Sequence, residues 1–378
     1  MLEGGRVLLR PAWIEIDLEA FRANVARLCE LARPAQVCAV VKGNAYGHGA
    51  VECARAALAG GASWLAVAMV DEAQTLRDAG ISAPVIILGE SSPENAEEIL
   101  AADATAMVAT VEVAEALSQA ATRVGRQAEV HVKIDSGMGR QGVRWDQVEA
   151  FACRLAGLPG LRVTGLFTHF AAADAEPDFT RWQFRTFLDA CAKVEAILGP
   201  IPFRHCCNTA AAILYPDMHL SMIRPGAGMY GISPGLPPEK MAGLNPVLSL
   251  RARVVLVKEL QAGDTAGYGR AWRAPGRRRI ALLPLGYCDG YPRALSGVGQ
   301  VLVRGRRVPI VGRISMDVII LDVTEAGDVR VGEQAVLVGS QGAERITVEE
   351  LAERAGTIVQ EIVCRLGPRL PRVYLKAL

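Results

Sequence analysis

The sequence has few aromatic residues, very few lysines and no long apolar run. Aromatic side chains make up 5% of the 378 residues, and only six of the 41 basic residues are lysines. No stretch approaches the ~18 apolar residues that a transmembrane helix needs, so we expect no membrane partner. Residues 1–10 lack the basic and apolar regions of a secretion signal, which indicates a cytoplasmic protein.

Charge and cysteine content exclude further classes. The net charge is +1, so no overall field favours nucleic acid as a partner. Two arginine-rich segments, 277–279 and 304–307, are the best candidates for such binding, but they lack interleaved aromatic residues and a recognisable motif. The nine cysteines include no CxxC pair, so we predict neither a metal site nor a disulfide framework. Free thiols in a reducing compartment are expected.

From about residue 37 to residue 244, short apolar runs alternate with helical stretches. Continuous Val, Ile and Ala runs between helices are typical of βαβ units and a parallel sheet. Eight units in about 200 residues predict an α/β fold, an N-terminal (β/α)₈ barrel of the TIM type, with a doubly wound sheet as the alternative. The eight runs cover residues 37–42, 64–69, 85–89, 104–109, 129–135, 163–169, 203–208 and 220–224.

The C-terminal part has a different pattern, in which Gly, Asp and Arg turns divide short β-rich runs. One clear helix is predicted at 347–354, where Thr347 and Glu350 form a capping-box pattern. We therefore predict a barrel domain over 1–242 and a mainly β domain over 243–378. Charge divides near the same point, because the residues from 245 onward carry a net +7 and the preceding residues a net −6.

Polar side chains stand where several predicted barrel strands end. Lys42 ends the first strand, Arg140 follows the fifth, His169 ends the sixth and Arg224 ends the eighth. The carboxyl ends of the strands carry catalysis in such barrels. A lysine there can form a Schiff base with a carbonyl when its amine is partly desolvated, so Lys42 is the first candidate for covalent chemistry.

A phosphate site is predicted between the loops that follow the seventh and eighth strands, where barrels commonly bind phosphate. The Thr209 hydroxyl and the backbone amides near Gly226 and Ala227 suit this role. Tyr46 lies four residues beyond Lys42, near the start of the next helix, where its phenol could also hold a phosphate.

Nine segments in chain order resemble the motifs of alanine racemases. The match as a whole runs from Trp13 to Tyr374. The nine segments read AVVKGNAYGHG (39–49), KIDSGMGRQG (133–142), THFAAAD (168–174), HCCNTAA (205–211), RPGAGMYG (224–231), AGYG (266–269), LGYCDGYPR (285–293), GRISMD (312–317) and PRLPRVY (368–374). Members of that family fold as a barrel followed by a β domain. The resemblance implies a racemase that interconverts L- and D-alanine with pyridoxal 5′-phosphate as cofactor and supplies D-alanine for peptidoglycan.

The resemblance also implies roles for individual residues. Lys42 and Tyr268 would be the two bases on opposite faces of the substrate, and Tyr268 would come from the other subunit of a head-to-tail homodimer. Lys133 matches a lysine that many members carry as a carbamate. Arg224 would bond the ring nitrogen of the cofactor, with His169 and Asn208 behind it. The complete implied cofactor set is Lys42, Tyr46, Arg140, His169, Asn208, Thr209, Arg224, Gly226 and Ala227.

The substrate carboxylate would be received by Arg140 and by the backbone amide of Met316. Tyr287 and Asp317 of the partner subunit would line the route to the site. Pro368 stands where some members have a phosphate-binding tyrosine, so that contact is lost or replaced here.

Three alternatives stay open at this point. The first is a decarboxylase of the same barrel-plus-β-domain group, which is expected to place an acidic residue, rather than Arg224, at the ring nitrogen. The second is a racemase of serine or of broad specificity. The third is a non-catalytic carrier of pyridoxal phosphate, which is expected to lack the β domain and Tyr268.

Overall fold

The computed structural model describes residues 9–375. Residues 1–8 lie outside the described part. They include most of residues 1–10, the segment on which the prediction of no secretion signal was based. Within the described part, no helix is both long and apolar enough to cross a membrane. The chain divides into two compact units. We call them the barrel unit, formed by Ala20–Ala45 and Ala50–Asn245, and the β unit, formed by 9–19, Tyr46–Gly49 and 246–375.

The barrel unit contains eight parallel strands in a nearly closed ring. Each strand pairs with the next along the chain as far as the seventh, and the eighth pairs with the first. The gap between the seventh and eighth is bridged by backbone bonds from Ser221 N–H to Arg204 O (3.2 Å) and from Arg224 N–H to Cys207 O (2.9 Å). The predicted barrel is confirmed, and the doubly wound alternative is wrong. The strands are Gln36–Val40, Trp64–Val67, Val85–Ile87, Thr105–Val108, Ala128–Asp135, Leu161–Phe167, Phe203–His205 and Met222–Ile223.

Helices follow the strands along the chain. Every residue of the second, third and fourth strands is buried, as expected for a parallel sheet that is covered on both faces. Each buried Val, Leu or Ile side chain contributes about 1.5–3 kcal/mol to stability. A two-residue strand, Val143–Arg144, adds to the edge of the fifth strand. The α-helices are Leu18–Ala32, Ala50–Ala59, Val70–Asp78, Ala96–Ala101, Val111–Arg123, Val148–Ala156, Pro177–Leu198 and Thr209–Leu214.

The β unit is mainly β, as predicted. Half of the predicted capping box is present: the Thr347 hydroxyl accepts the Glu350 N–H at 3.1 Å, while the Glu350 carboxylate bonds Arg307. Two helices occur in this unit, Val348–Ala355 and Val359–Cys364, and the second was too short to give a helical pattern in the sequence. The strands are Ala12–Asp17, Leu248–Arg253, Leu256–Leu260, Thr265–Ala266, Trp272–Arg273, Arg278–Leu283, Gln300–Val303, Arg306–Pro309, Ile319–Asp322, Gln334–Gln341, Glu344–Ile346 and Arg372–Leu375.

The N-terminal strand differs from the prediction that 1–242 form the barrel domain. Ala12–Asp17 pairs antiparallel with Leu248–Arg253 and parallel with Arg372–Leu375, so it belongs to the β unit. Within this strand only Glu15 and Asp17 are partly exposed, and the other four residues are buried. That pattern says nothing about which distant strand it joins, because pairing depends on contacts far away in the sequence.

Candidate active site

A left-handed turn follows Lys42 at the end of the first barrel strand. Lys42 is half-buried, and the next four residues have φ angles of 62°, 52°, 53° and 54°. Only Gly43 among them is a glycine, and a left-handed residue with a side chain costs roughly 1–2 kcal/mol. Strain of this kind persists only where the surroundings hold it, and it is common at functional sites.

Several hydrogen bonds fix this turn. The Ala45 N–H donates to Val41 O at 2.8 Å, and the Ala50 N–H donates to Asn44 Oδ1 at 2.9 Å. The Gly43 N–H donates to the Glu72 carboxylate at 2.6 Å. Glu72 was not among the residues predicted from the sequence, because nothing in its local pattern indicates a partner 29 residues away.

Tyr46, the last residue of the turn, is kept neutral by its surroundings. Burial raises the pKa of its phenol to about 12, with Cys364 as a smaller cause. A neutral phenol can donate a hydrogen bond, which is the property a phosphate contact requires.

Arg224 lies at the head of a buried chain of hydrogen bonds. One guanidinium nitrogen contacts His205 Nδ1 at 2.5 Å, and the other donates to the carbonyls of Thr168 (2.7 Å) and Cys206 (3.4 Å). His205 Nε2 in turn contacts His131 Nδ1 at 2.9 Å. Because a guanidinium only donates, His205 must accept at Nδ1, carry its proton on Nε2 and donate to His131.

This chain corrects the prediction that His169 and Asn208 stand behind Arg224. The partner is His205, while the Asn208 side chain accepts the Ala211 N–H at 2.9 Å and caps the helix Thr209–Leu214. His205 belongs to one of the recognised segments but was given no role. Its signal in the sequence is its position three residues before the end of the predicted seventh run, which does not reveal the strand face on which it lies.

Lys133 is a buried lysine on the fifth strand. Its Nζ lies 4.5 Å from the centre of the Phe167 ring, an aromatic face that also stacks on His205. The pKa of Lys133 is lowered well below its ordinary value, first by burial and then by Arg224 and Arg140. Nearby Asp135 opposes this shift only in part. The amine is therefore driven towards its neutral, nucleophilic form.

The predicted cations of the barrel unit lie close enough to act on one histidine. The pKa of His169 is lowered well below its ordinary value by burial, then by Lys133 and Arg224, and further by Arg140 and Lys42. The structure thus brings these five side chains into one electrostatic environment at the carboxyl ends of the strands. Such a concentration of positive charge attracts anionic ligands.

The turn before Arg140 is built around a carboxylate. One Asp135 oxygen accepts the backbone N–H groups of Gly137 and Met138, both at 2.9 Å, and of Gly139 at 3.1 Å. Arg140 itself is exposed. The Asp135 carboxylate raises the pKa of Lys133, but by less than burial, Arg224 and Arg140 each lower it.

The predicted phosphate loops meet at Thr209. Its buried hydroxyl oxygen accepts the N–H groups of Gly226 at 3.1 Å and Gly228 at 3.2 Å. A side chain at 228 is excluded, since a Cβ there would lie 2.7 Å from the Thr209 methyl group. The Gly226 amide is thus directed at Thr209, whereas the prediction had it facing a phosphate. The Thr209 O–H proton is the group this geometry leaves to donate.

Three of the predicted candidates in the β unit are exposed. Tyr268 is 72% exposed, Tyr287 41% and Met316 51%. Two backbone bonds join the segments that carry Tyr287 and Met316: Tyr287 N–H to Ser315 O and Cys288 N–H to Met316 O, both at 3.1 Å.

Two further features shape this surface. Gly286 has no room for a side chain, because a Cβ would lie 2.1 Å from the Ser315 carbonyl oxygen. Asp317 accepts a hydrogen bond from Arg369 at 2.5 Å, which fixes the orientation of its carboxylate.

We expect the free energy of unfolding to fall as the pH drops below 6.5, because three histidines with lowered pKa values are neutral in the folded protein. Burial lowers the pKa of His131 from 6.5 to about 3, and those of His169 and His205 lie well below 6.5. In this window the unfolded chain binds protons that the folded chain does not. The contribution of these histidines to the free energy of unfolding is therefore fully present above pH 6.5. It decreases towards pH 3 by at most about 1.4 kcal/mol per pH unit for each histidine.

Urea unfolding at several mildly acidic pH values measures this slope. His131→Gln should remove the share that His131 contributes and make the dependence shallower. A variant with the same slope as the wild type would contradict the assignment of His131 as a buried neutral histidine.

The fold and the site define an enzyme of the barrel-plus-β-domain class, with a lysine among a cluster of cations at the barrel mouth. Residues 16–234 match the family described as "Alanine racemase, N-terminal domain", and residues 247–374 match "Alanine racemase, C-terminal domain". The chain belongs to the alanine racemase family, isomerases that interconvert the enantiomers of alanine. This assignment decides against the decarboxylase and carrier alternatives.

Individual relatives agree over nearly the full length. The chain is 44% identical to an alanine racemase of Symbiobacterium thermophilum, covering 97% of both sequences. The alanine racemase structure from Streptomyces coelicolor is 40% identical and matches 97% of this chain and 98% of that one with a TM-score of 0.91. The Bacillus anthracis enzyme, solved with bound L-Ala-P, is 36% identical and matches 98% of this chain and 96% of that one with a TM-score of 0.93.

Proposed function

We propose that this protein racemises alanine with pyridoxal 5′-phosphate and two bases, Lys42 and Tyr268. The observation that carries the proposal is the set of cations around Lys42, which together depress the pKa of His169. An anionic cofactor with a carbonyl group fits this set, because it offers a phosphate and a phenolic oxygen to the positive groups and an aldehyde to the Lys42 amine.

The remaining contacts can be assigned by the chemistry of the donors. Arg140 is the donor for the phenolic oxygen. The Thr209 hydroxyl and the Ala227 amide would donate to the phosphate, together with Tyr46, whose phenol is neutral. Gly226 would contribute indirectly, because its amide donates to the Thr209 oxygen. When bound, the cofactor supplies a conjugated ring that takes up the charge left on the α-carbon after its proton is removed.

Inversion requires a proton to leave one face of the α-carbon and another to arrive on the opposite face. Lys42 acts on one face and Tyr268 on the other. Tyr268 is 72% exposed in the single chain, so its phenol lies in solvent there. We infer that it completes the site of a partner subunit in a head-to-tail homodimer. The net charges of −6 before residue 245 and +7 after it support such pairing.

Arg224 would bond the ring nitrogen of the cofactor in this proposal. It is held by three acceptors and remains a donor, so it disfavours a proton on that nitrogen. A neutral ring withdraws charge less strongly, so we expect the α-carbon to be reprotonated quickly and transamination to be limited.

Lys133 is proposed to carry a carbamate. Its depressed pKa leaves a neutral amine, which attacks carbon dioxide; a new N–C bond forms and the surplus amine proton leaves to solvent. The resulting anion lies among Arg140 and Arg224, the cations that lower the pKa of the unmodified lysine. It thereby fixes Arg140 and offsets part of the positive charge.

The substrate carboxylate is assigned to Arg140 and to the Met316 backbone amide of the partner. Tyr287 and Asp317 are proposed to line the route to the site, and the bond from Arg369 keeps Asp317 in place.

Serine or a broader set of amino acids is the alternative substrate class. A cytoplasmic location is consistent with nine cysteines that are all free, and production of D-alanine for peptidoglycan is the proposed role.

Two assays of the purified protein test this function. Chiral chromatography of incubations with L-alanine, D-alanine and L-serine should show alanine converted in both directions and much faster than serine.

Mixing inactive Lys42→Ala and Tyr268→Phe subunits should restore about a quarter of the wild-type sites, because half of the dimers are mixed and each mixed dimer has one intact site. If mixed dimers form without activity, Tyr268 acts within its own chain.

A further inference from the structure

Glu72 joins the ends of the first two barrel strands through two short hydrogen bonds. One carboxylate oxygen accepts the N–H of Gly43 at 2.6 Å, and the other accepts the N–H of Ala68 at 2.6 Å. Gly43 follows Lys42 directly, and Ala68 follows the second barrel strand. Bonds to an ionised acceptor are roughly twice as strong as neutral ones, so the carboxylate is a firm bridge between these strand ends.

The position of Glu72 in its helix points to a specific use of this carboxylate. It is the third residue of Val70–Asp78, from which a glutamate often bonds back to the N–H of the N-cap residue. The N-cap here is Met69, which supplies no side-chain cap. Glu72 instead bonds the residue before the cap and, across the barrel rim, the residue after Lys42.

The turn that receives this bond has an unfavourable conformation rather than a crowded one. Gly43 has a φ of 62°, yet a Cβ built on it would meet no atom within 4 Å. Three left-handed residues with side chains follow it. A bond to the first amide of such a turn therefore holds the direction in which the chain leaves Lys42.

We propose that Glu72 is a positioning residue for Lys42. By fixing the Gly43 amide, it holds the left-handed turn and with it the aim of the Lys42 amine at the carboxyl end of the barrel. The inference rests on the proposed function, because aim matters only if Lys42 binds the cofactor and moves the α-proton.

Glu90 is a carboxylate in a similar place with no assigned role in catalysis, and it serves as the control for Glu72. One of its oxygens accepts the N–H groups of Ala109 (3.2 Å) and Thr110 (3.1 Å) and the Thr110 hydroxyl (2.8 Å). It thus joins the segments after the third and fourth barrel strands as Glu72 joins those after the first and second. No predicted catalytic or binding residue lies in either segment.

The test compares Glu72→Gln with Glu90→Gln in the holoenzyme. A glutamine keeps one acceptor oxygen and turns an NH₂ group towards the second amide, so one bond is lost. We expect Glu72→Gln to lower kcat for alanine by about 10- to 100-fold with little change in KM, as misplacement of a reacting group does. Backbone hydrogen exchange over residues 43–46 should become faster, and the visible absorbance of the lysine-bound cofactor should develop more slowly when pyridoxal phosphate is added to apoenzyme.

Glu90→Gln keeps the oxygen that accepts all three bonds, so this variant should keep the wild-type kcat and the wild-type exchange at 43–46. Wild-type kcat and unchanged exchange at 43–46 in Glu72→Gln, or an equal fall of kcat in both variants, would overturn the inference. If Glu72→Gln does not fold, Glu72→Asp replaces it, with Glu90→Asp as control, because the shorter side chain cannot span both amides. The same fall in kcat and faster exchange are then expected.

The Lys42→Ala variant distinguishes a failure of the proposed function from a failure of the positioning role of Glu72. An active Lys42→Ala enzyme would refute the proposed function. An inactive Lys42→Ala enzyme beside a Glu72→Gln enzyme with wild-type kcat and exchange would refute only the positioning role of Glu72.

Discussion

Replacing Lys42 by alanine should abolish racemisation in both directions, with kcat falling by about 10⁴-fold or more. The side chain is assigned two tasks, to hold the cofactor and to move the α-proton on one face, and alanine can do neither. Because the lysine stands at a strand end and is only half-buried, its loss should not unfold the barrel. Chiral chromatography measures the rate, and visible absorbance measures retained cofactor.

Lys193→Ala is the matched control for this substitution. Lys193 is one of the few other lysines, and it pairs with Glu149 at 3.4 Å on the exposed surface. Surface ion pairs of this kind contribute about 0–1 kcal/mol, so activity and stability should stay close to those of the wild type. A Lys42→Ala enzyme that behaved like Lys193→Ala would remove the basis for the assigned chemistry.

Replacing Arg224 by glutamate should lower kcat for racemisation by about 10²- to 10³-fold and should cause pyruvate to appear during incubation with alanine. A carboxylate favours a proton on the ring nitrogen, which makes the ring a stronger electron sink and promotes transamination. The substitution also reverses the direction of the hydrogen bonds from residue 224 through His205 to His131. An acceptor at 224 requires His205 to donate from Nδ1 and His131 to change its tautomer.

Arg224→Lys and a measurement of stability complete this experiment. Lysine keeps a positive donor, so its effect on racemisation should be smaller and pyruvate should stay at the wild-type level. Arg224→Glu should also lose about 3–5 kcal/mol of stability, since it leaves a buried charge without its partners. If Arg224→Glu racemises alanine normally and releases no additional pyruvate, the role assigned to the arginine is wrong.

Much of the barrel could be read from the sequence because its signal is local. Each strand is a short apolar run between helices, and all eight observed strands fall within or overlap the predicted runs. The catalytic candidates share this advantage, since Lys42 and Arg224 were picked out by standing at the end of such a run. Nothing further along the chain was needed to place them at the carboxyl face.

The support around those residues could not be read in the same way. His205 meets Arg224, and His131 meets His205, because side chains from different strands point into one barrel interior. Glu72 bonds Gly43 across 29 residues. These contacts depend on strand register and side-chain direction, which a polar residue in an apolar run does not disclose.

The amino-acid sequence alone determined the fold class, the order of the barrel strands and the residues at their carboxyl ends, because hydrophobic periodicity and strand-end position are properties of neighbouring residues. Tertiary structure decided which strand Ala12–Asp17 joins, which histidine holds Arg224 and which carboxylate holds the turn after Lys42. The physical reason is that each of these contacts joins groups that are distant in the chain. Such groups interact only after the strands have paired and the barrel has closed.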